Sequence, residues 1–345
     1  MLVLMRANVR TVLLTLMFVV SAAYLCADDG AASIGAGGIV VMKHEPRIVM
    51  AKEVLQISTN RVIVDYDFRN DSDEDITTEV AFPIPDYDFD INRDGSEQGF
   101  DDFKLWIDGS PAHFQIEARA FLKDKEYSGL LSDMHVDIAG FGNGPLMEQV
   151  NGRQRVRAVS QDIERLTGAE RAKLRNLGLV DADGGDMPLW HVKKKYHWQQ
   201  TFPAHKTVHI RHEYTPVLGA NNGFGYAFGP KPDKLSADEL KSFCVAERLR
   251  SKLESTPGDR DGGYVYVDFI LTTANTWKTP IEDFTLIVER PHTTNNRGET
   301  ESNYVSFCWD EPIAKMDADH FSAHTTNLIP TKELRIGFIS VAPAK

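Results

Sequence analysis

A two-residue hydrophobic period constrains this chain more than any other feature. In RVIVDYDFRN, Val62, Val64, Tyr66 and Phe68 share one face and Asp65 and Asp67 take the other. A sheet with one apolar face must bury it against a second layer, so the pattern commits the chain to packed β-structure. Asn70 to Asp75 form the turn, and Ile76, Thr78, Val80 and Phe82 repeat the alternation until Pro83 and Pro85 stop it. Phe103, Leu105 and Ile107 begin another strand, Asp108 to Ser110 turn it, and AHFQIEARAF returns. Further on, Trp190, Val192, Tyr196 and Trp198 share a face, FPAHK turns the chain, and Val208, Ile210 and Tyr214 point inward.

Two stretches interrupt the strands. From about 127 to 187 the chain is glycine-punctuated, and Thr167 with Glu170 has capping-box spacing ahead of a stop at Gly178. Gly219 to Lys234 has the glycine and proline density of a connection between domains. Beyond it, Ser236 and Glu239 start a helix, followed by the strands YVYVDFILTT, DFTLIVER, YVSFCW and LRIGFISV. The expected fold class is mainly β, with two β-sandwich-like lobes. Residues 28–220 form the first, with a helical insertion at about 127–187; residues 221–345 form the second, with a capping helix at its start.

The beginning of the chain indicates its compartment. Arg6 and Arg10 precede an apolar run, Thr11 to Leu25, that is too short to span a bilayer and reads as a signal peptide. Cleavage is expected after Ala27, with Ala23 as the alternative; acylation of Cys26 is disfavoured by the bulk of Leu25. Export to the periplasm or the medium follows, with no transmembrane segment in the mature protein. The formal net charge is −12, and removing residues 1–27 takes away two arginines and no acid. Such a surface excludes nucleic acid and anionic membrane as partners. Cys244 and Cys308 then remain, as a disulfide in an oxidising compartment or as two buried thiols.

Signatures of chemistry are sparse. The sequence has no G-x-S-x-G elbow, P-loop, H-E-x-x-H or C-x-x-C motif. DINRDGSEQGFD begins like a calcium loop: Asp90, Asn92 and Asp94 alternate, Ser96 offers a carbonyl and Asp101 a closing carboxylate. Flanking strand ends and Glu97 at the eighth position exclude an EF-hand, which leaves a free-standing calcium loop or an acidic solvated turn. His191 and His197 share a face with Lys193 and Lys195, which oppose a bound cation. A tight turn would bring His209 near His197 or Gln199, while His212 points inward as a core histidine. Trp106 alternates out of phase with its neighbours and projects from the other face; Trp190, Trp198 and Trp277 read as core or domain-interface residues.

Five ordered blocks carry a family resemblance: GGIVVMKHEPRIVMAKEVLQIS, DITTEVAFPIPDYDF, WHVKKKYHWQQTFPAHKTVHIRHEYTPVLG, VDFILTTANTWKTPI and VSFC. From Gly37 to Cys308 the chain resembles a bacterial family of exported proteins catalogued as domain of unknown function 4424. The resemblance implies an exported, β-rich protein in which Cys244 and Cys308 match the family's two cysteines, and it implies no reaction. The stretches VDYDFRNDSDEDITTEVAFPIP, KLWIDGSPAHFQIEARAF and QTFPAHKTVHIRHEYTPVL are also similar, in order, to the vault and inter-alpha-trypsin extracellular domain, a β-sandwich of secreted and adhesive proteins.

The functional expectation is a non-enzymatic, exported binding or interaction protein with a protein or glycan partner and no cofactor except, in one reading, calcium. One alternative is a secreted hydrolase acting on envelope or host polymers, with a cleft near Asn221 to Gly229. Another is an adhesive module stiffened by calcium at residues 90–101.

Overall fold

The computed structural model describes residues 28–34, 40–87, 102–138, 147–150, 153–156, 162–181, 185–216, 218–222, 238, 240–254, 262–294 and 298–341. The strands of the first half are β1 (Gly30–Ile34), β2 (Val40–Met42), β3 (Ile48–Ile57), β4 (Val62–Asn70), β5 (Ile76–Pro83), β6 (Lys104–Ile107), β7 (Ser110–Pro111), β8 (Gln115–Leu122), β9 (Lys125–Glu126), β10 (Met147–Val150) and β11 (Arg153–Val156). Those of the second half are β12 (His191–Phe202), β13 (Thr207–Tyr214), β14 (Gly219–Asn222), β15 (Gly262–Phe269), β16 (Ile281–Glu289), β17 (Ser302–Phe307), β18 (Ala314–Lys315), β19 (His320–Leu328) and β20 (Leu334–Val341). Helices α1 (Ser128–Asp133), α2 (Gly168–Asn176) and α3 (Glu247–Glu254) complete a mainly β protein.

An eight-stranded sheet, ordered β18-β19-β16-β3-β4-β13-β6-β7, faces a six-stranded sheet ordered β2-β1-β5-β12-β8-β9. The apolar faces read from the sequence meet between them. Phe68 of β4 lies 5.8 Å from Phe202 of β12, and Phe82 of β5 lies 4.9 Å from His212 of β13. A four-stranded sheet, β14-β15-β20-β17, stands beside them.

The turns do something that alternation alone does not reveal. Residues 71–75 do not close a hairpin; they carry the chain from β4 in one sheet to β5 in the other, and residues 203–206 do the same between β12 and β13. Asn70, fully buried, ties the two arches together through Nδ2, which donates to the carbonyls of Glu74 and Phe202 at 2.8 Å each. Placing His197 and His209 in different sheets overturns the expectation that a tight turn makes them neighbours.

The eight-stranded sheet also draws on both sides of residue 220. β16 pairs in parallel with β3, Phe284 opposite Glu53, and brings β19 and β18 with it. The division expected at 220/221 therefore separates stretches of sequence that share one hydrogen-bonded sheet. Local signals do hold locally: Thr167 and Glu170 make the capping box of α2, and Gly178 follows with φ +70. Ser236 and Glu239 lie outside the described residues.

β3 changes phase within its own length. Its register against β4 shifts between Met50 and Lys52, a β-bulge. Ile48 and Met50 are buried before it; Glu53, Leu55 and Ile57 are buried after it. The extra residue leaves Lys52 outside and turns Glu53 into the core.

Candidate functional site

The C-terminal strands build a groove at the end of the sandwich. Its volume is ≈ 160 Å³, and its wall includes Leu271, Trp309, Thr325, Leu328, Ile329 and Lys332. Trp309 follows β17 and stacks on Phe284 of β16, ring centres 5.4 Å apart. The indole Nε1 of Trp309 and the Oγ1 of Thr325 are shielded from solvent and have no hydrogen-bond partner among the described residues. Ile329 is 61% exposed. Next to Trp309, Cys308 forms a disulfide with Cys244, Cα atoms 5.0 Å apart, which pins this wall to the chain leading into α3.

The other wall is tied to a 3-10 turn, Thr272–Thr276. Glu333 accepts hydrogen bonds from the amides of Leu271 and Thr272 at 2.8 and 3.2 Å and from the Thr272 hydroxyl at 2.7 Å. Asn275 Nδ2 donates to the Pro330 carbonyl at 2.8 Å.

The far side of the same turn holds the start of the described chain against a buried acidic centre. Thr273 Oγ1 accepts from the Asp28 amide at 2.6 Å and donates to the Asp28 carbonyl at 2.7 Å. Thr276 Oγ1 accepts from the Ala31 amide at 3.0 Å, and Trp277 Nε1 donates to the Asp29 carbonyl at 2.6 Å. A Cβ at Gly30 would lie 3.0 Å from Thr276 Oγ1 and 3.2 Å from Thr273 Cβ and would displace the flexible tip of Met42, so this passage favours glycine.

Asp28, Asp29, Glu53 and His212 have no solvent exposure. Tyr66 OH donates to Asp28 Oδ1 at 2.5 Å, and the Asp29 amide donates to the same oxygen at 2.8 Å. Asp28 Oδ2, both oxygens of Asp29 and both of Glu53 have no hydrogen-bond partner. Burial pushes all three carboxyls well above the ordinary carboxylate range, and repulsion adds to it, from Glu333 on Asp28, from Asp28 on Asp29 and from both aspartates on Glu53. His212 Nε2 stands 3.4 Å from Asp29 Oδ2, and burial lowers the imidazole to about 3.

The histidine shift makes a testable statement about stability. A base whose pKa is depressed in the fold contributes stability that is present above its unfolded value, about 6.5, and is lost as pH falls toward the folded value. His212→Phe keeps a ring among Phe82, Phe103 and Trp198 and removes the titration. The variant is expected to flatten the acid side of the stability profile between pH 6 and 4 by up to about 1.4 kcal/mol per pH unit. Urea unfolding at both pH values measures it; a slope equal to wild type rules out His212 as the titrating group.

The other sequence candidates are dispersed. Asp90, Asn92, Asp94, Ser96 and Asp101 lie outside the described residues, as do positions 223–229 of the glycine-rich connection. His197 is buried rather than solvated, with Nδ1 2.6 Å from Glu79 Oε1, because a carboxylate on the neighbouring strand β5 meets it. His209 faces Asp67 of β4 at 3.0 Å and Asp65 at 3.3 Å. His212 is the core residue expected, although without the hydrogen bond that usually accompanies one. Trp106 is half-buried, while Trp190, Trp198 and Trp277 are in the core. Lys194 shares the inward face of β12 and is buried with Nζ 5.0 Å over the Tyr196 ring, a placement that strict alternation could have shown. Among the described residues, no group of three metal-ligating side chains has the geometry of a metal site.

The sequence matches the family described as Domain of unknown function (DUF4424) over residues 27–336. The chain belongs to this family. That span takes in the acidic centre, both cysteines and the groove wall, so all of them lie within the DUF4424 region. A solved structure from Legionella pneumophila, described as a "putative nutrient binding protein", is 14% identical, with a TM-score of 0.42 over 90% of this chain and 72% of that one. The curated proteins contain no match. Among the described residues no helix is long and apolar enough to cross a membrane.

Proposed function

We propose that this protein is exported and works without catalysis as a binding protein, with the groove beside the Cys244–Cys308 bridge as the seat of a small solute that has both an apolar face and a hydrogen-bond acceptor. The unpartnered indole N–H of Trp309 carries this reading: covered in the free groove, it is reached by a solute that displaces the side chains over it. A shielded donor without an acceptor costs about 1–3 kcal/mol, which an acceptor on a bound molecule offsets. Leu328 and Ile329 supply the apolar contact, and the disulfide holds the wall in place before binding. The acidic centre does not support a hydrolase: Asp29 and His212 are fully enclosed, so no polymer reaches them.

The test is a thermal-shift screen of amino acids, short peptides and mono- and disaccharides against the mature protein, followed by calorimetry on any compound that raises the melting temperature. Trp309→Phe retains the stack on Phe284 but lacks the donor, and Ile329→Asp places a charge on the apolar wall. Each is expected to weaken binding tenfold or more, in keeping with one lost hydrogen bond or apolar contact of ~1.4 kcal/mol. A hit whose affinity is unchanged in both variants binds elsewhere and refutes the groove as the seat.

A further inference from the structure

Three carboxyl groups in a solvent-free space are driven to the neutral acid unless a cation joins them, and the described residues supply none from a side chain. No lysine or arginine pairs with Asp28, Asp29 or Glu53, and the imidazole facing Asp29 is the neutral ring of His212. The groups that look into this space are Glu53 from β3, Tyr66 from β4, and His212 and Tyr214 from β13, while Glu333, exposed in the loop before β20, acts on Asp28 through its charge alone. None of these is a cation. Without a cation the three carboxyls stay neutral with oxygens left unpartnered, and a cationic group with several N–H donors would relieve both the protonation and the missing hydrogen bonds.

We propose that the bond between Ala27 and Asp28 is the processing site, and that the α-ammonium group this cut creates on Asp28 stays inside the fold as the counter-charge of the Asp28–Asp29–Glu53 cluster.

The hydrogen count supports this assignment. In the uncut chain the Asp28 nitrogen is an amide with a single hydrogen, already committed to Thr273 Oγ1 at 2.6 Å. An export signal peptidase breaks the C–N bond by adding one water: the hydroxyl goes to the Ala27 carbonyl carbon and the proton to the Asp28 nitrogen. At neutral pH the new amine takes up a further proton from solvent. One hydrogen of the resulting ammonium stays with Thr273, and two are released toward oxygens that accept nothing, namely Asp28 Oδ2 and the carboxyls of Asp29 and Glu53. The backbone is held at successive residues from this point, by Thr273 at Asp28, Trp277 at Asp29 and Thr276 at Ala31. Cleavage happens on the unfolded chain during export, so a residue that ends with no exposure is accessible when it is cut. The alternative cut, after Ala23, would leave the Asp28 nitrogen an amide and the cluster without a cation.

The proposal shares with the proposed function only the export of the chain, and its main test is independent of export and of any groove ligand. A fusion cut in vitro directly before Asp28 yields the free amine, and the same chain carrying two extra alanines yields the amide. The free-amine form is expected to have a folding constant larger by roughly tenfold or more at pH 7, as charge-assisted hydrogen bonds imply. Its amine should resist reductive methylation until urea unfolds it. Glu53→Gln, made in both forms, should narrow the difference, which keeps the test valid where the extended chain alone folds poorly. Equal stability of the two forms, full methylation of the folded protein, or a stoichiometric divalent metal by elemental analysis overturns the proposal. In exported material, intact mass is expected to show Asp28 as the first residue; a mature chain beginning at Tyr24 refutes it.

Discussion

Trp277→Ala is expected to lower the free energy of unfolding by about 4–5 kcal/mol, among the largest effects of any single substitution in this protein. Trp277 is 2% exposed, and its ring lies 4.7 Å from Phe68 and 6.0 Å from Phe202, at the seam of the two large sheets. Truncation leaves a cavity between strands that are held by their own hydrogen bonds and close in only partly. It also removes the donor to the Asp29 carbonyl, leaving a buried acceptor unsatisfied beside the acidic centre. Trp277→Phe keeps much of the volume and lacks only the N–H, so it should cost clearly less. Urea titrations of the three proteins at pH 7 measure the series. Equal losses for Ala and Phe would place the whole effect in the hydrogen bond and none in the packing.

Removal of the disulfide is the second large effect. The bridge closes a separation of 64 residues, for which the chain-entropy treatment gives a stabilisation of about 4 kcal/mol. Cys244→Ala with Cys308→Ala is expected to lose most of that. The backbone at Cys244 adds a term of its own, since φ is +51 there, in the left-handed region where a side chain costs about 1 kcal/mol relative to glycine. Cys244→Gly with Cys308→Ala should therefore recover part of the loss. Because Cys308 precedes Trp309 in the groove wall, both double variants should also weaken any ligand identified there. Unfolding midpoints matching wild type would show that the bridge contributes nothing to the folded state's advantage.

Parts of the architecture are legible in the residues themselves, and parts are hidden for identifiable reasons. Alternation located β4, β5, β12 and β13, whose apolar positions recur every second residue; β20 was legible instead as the run LRIGFISV, which is buried on both faces. Alternation did not locate β19, where most of HFSAHTTNL is exposed or half-buried near the sheet edge, so that no apolar period marks it. The bulge of β3 left a weaker trace: Ile48, Val49 and Met50 are all buried, and a clear alternation begins only after it, at Glu53, Leu55 and Ile57. A glutamate on the resumed apolar phase was the available hint of a buried acid. The partners of His197 and His209 had no such hint, because Glu79, Asp65 and Asp67 come from strands whose pairing depends on the arches.

By itself the sequence determined the strands that alternate clearly, where α2 is capped, and the family to which the chain belongs. These depend on periodicity, short-range hydrogen bonding and composition, which act over a few residues or not at all through space. Only the tertiary structure decided that the turns at 71–75 and 203–206 pass between sheets, that β16 joins β3 in parallel, and that the Thr272–Thr276 turn holds Asp28 in the core. Those contacts join residues up to 245 positions apart. They are selected by packing two apolar faces around a common core, a condition on the whole chain that no local stretch records.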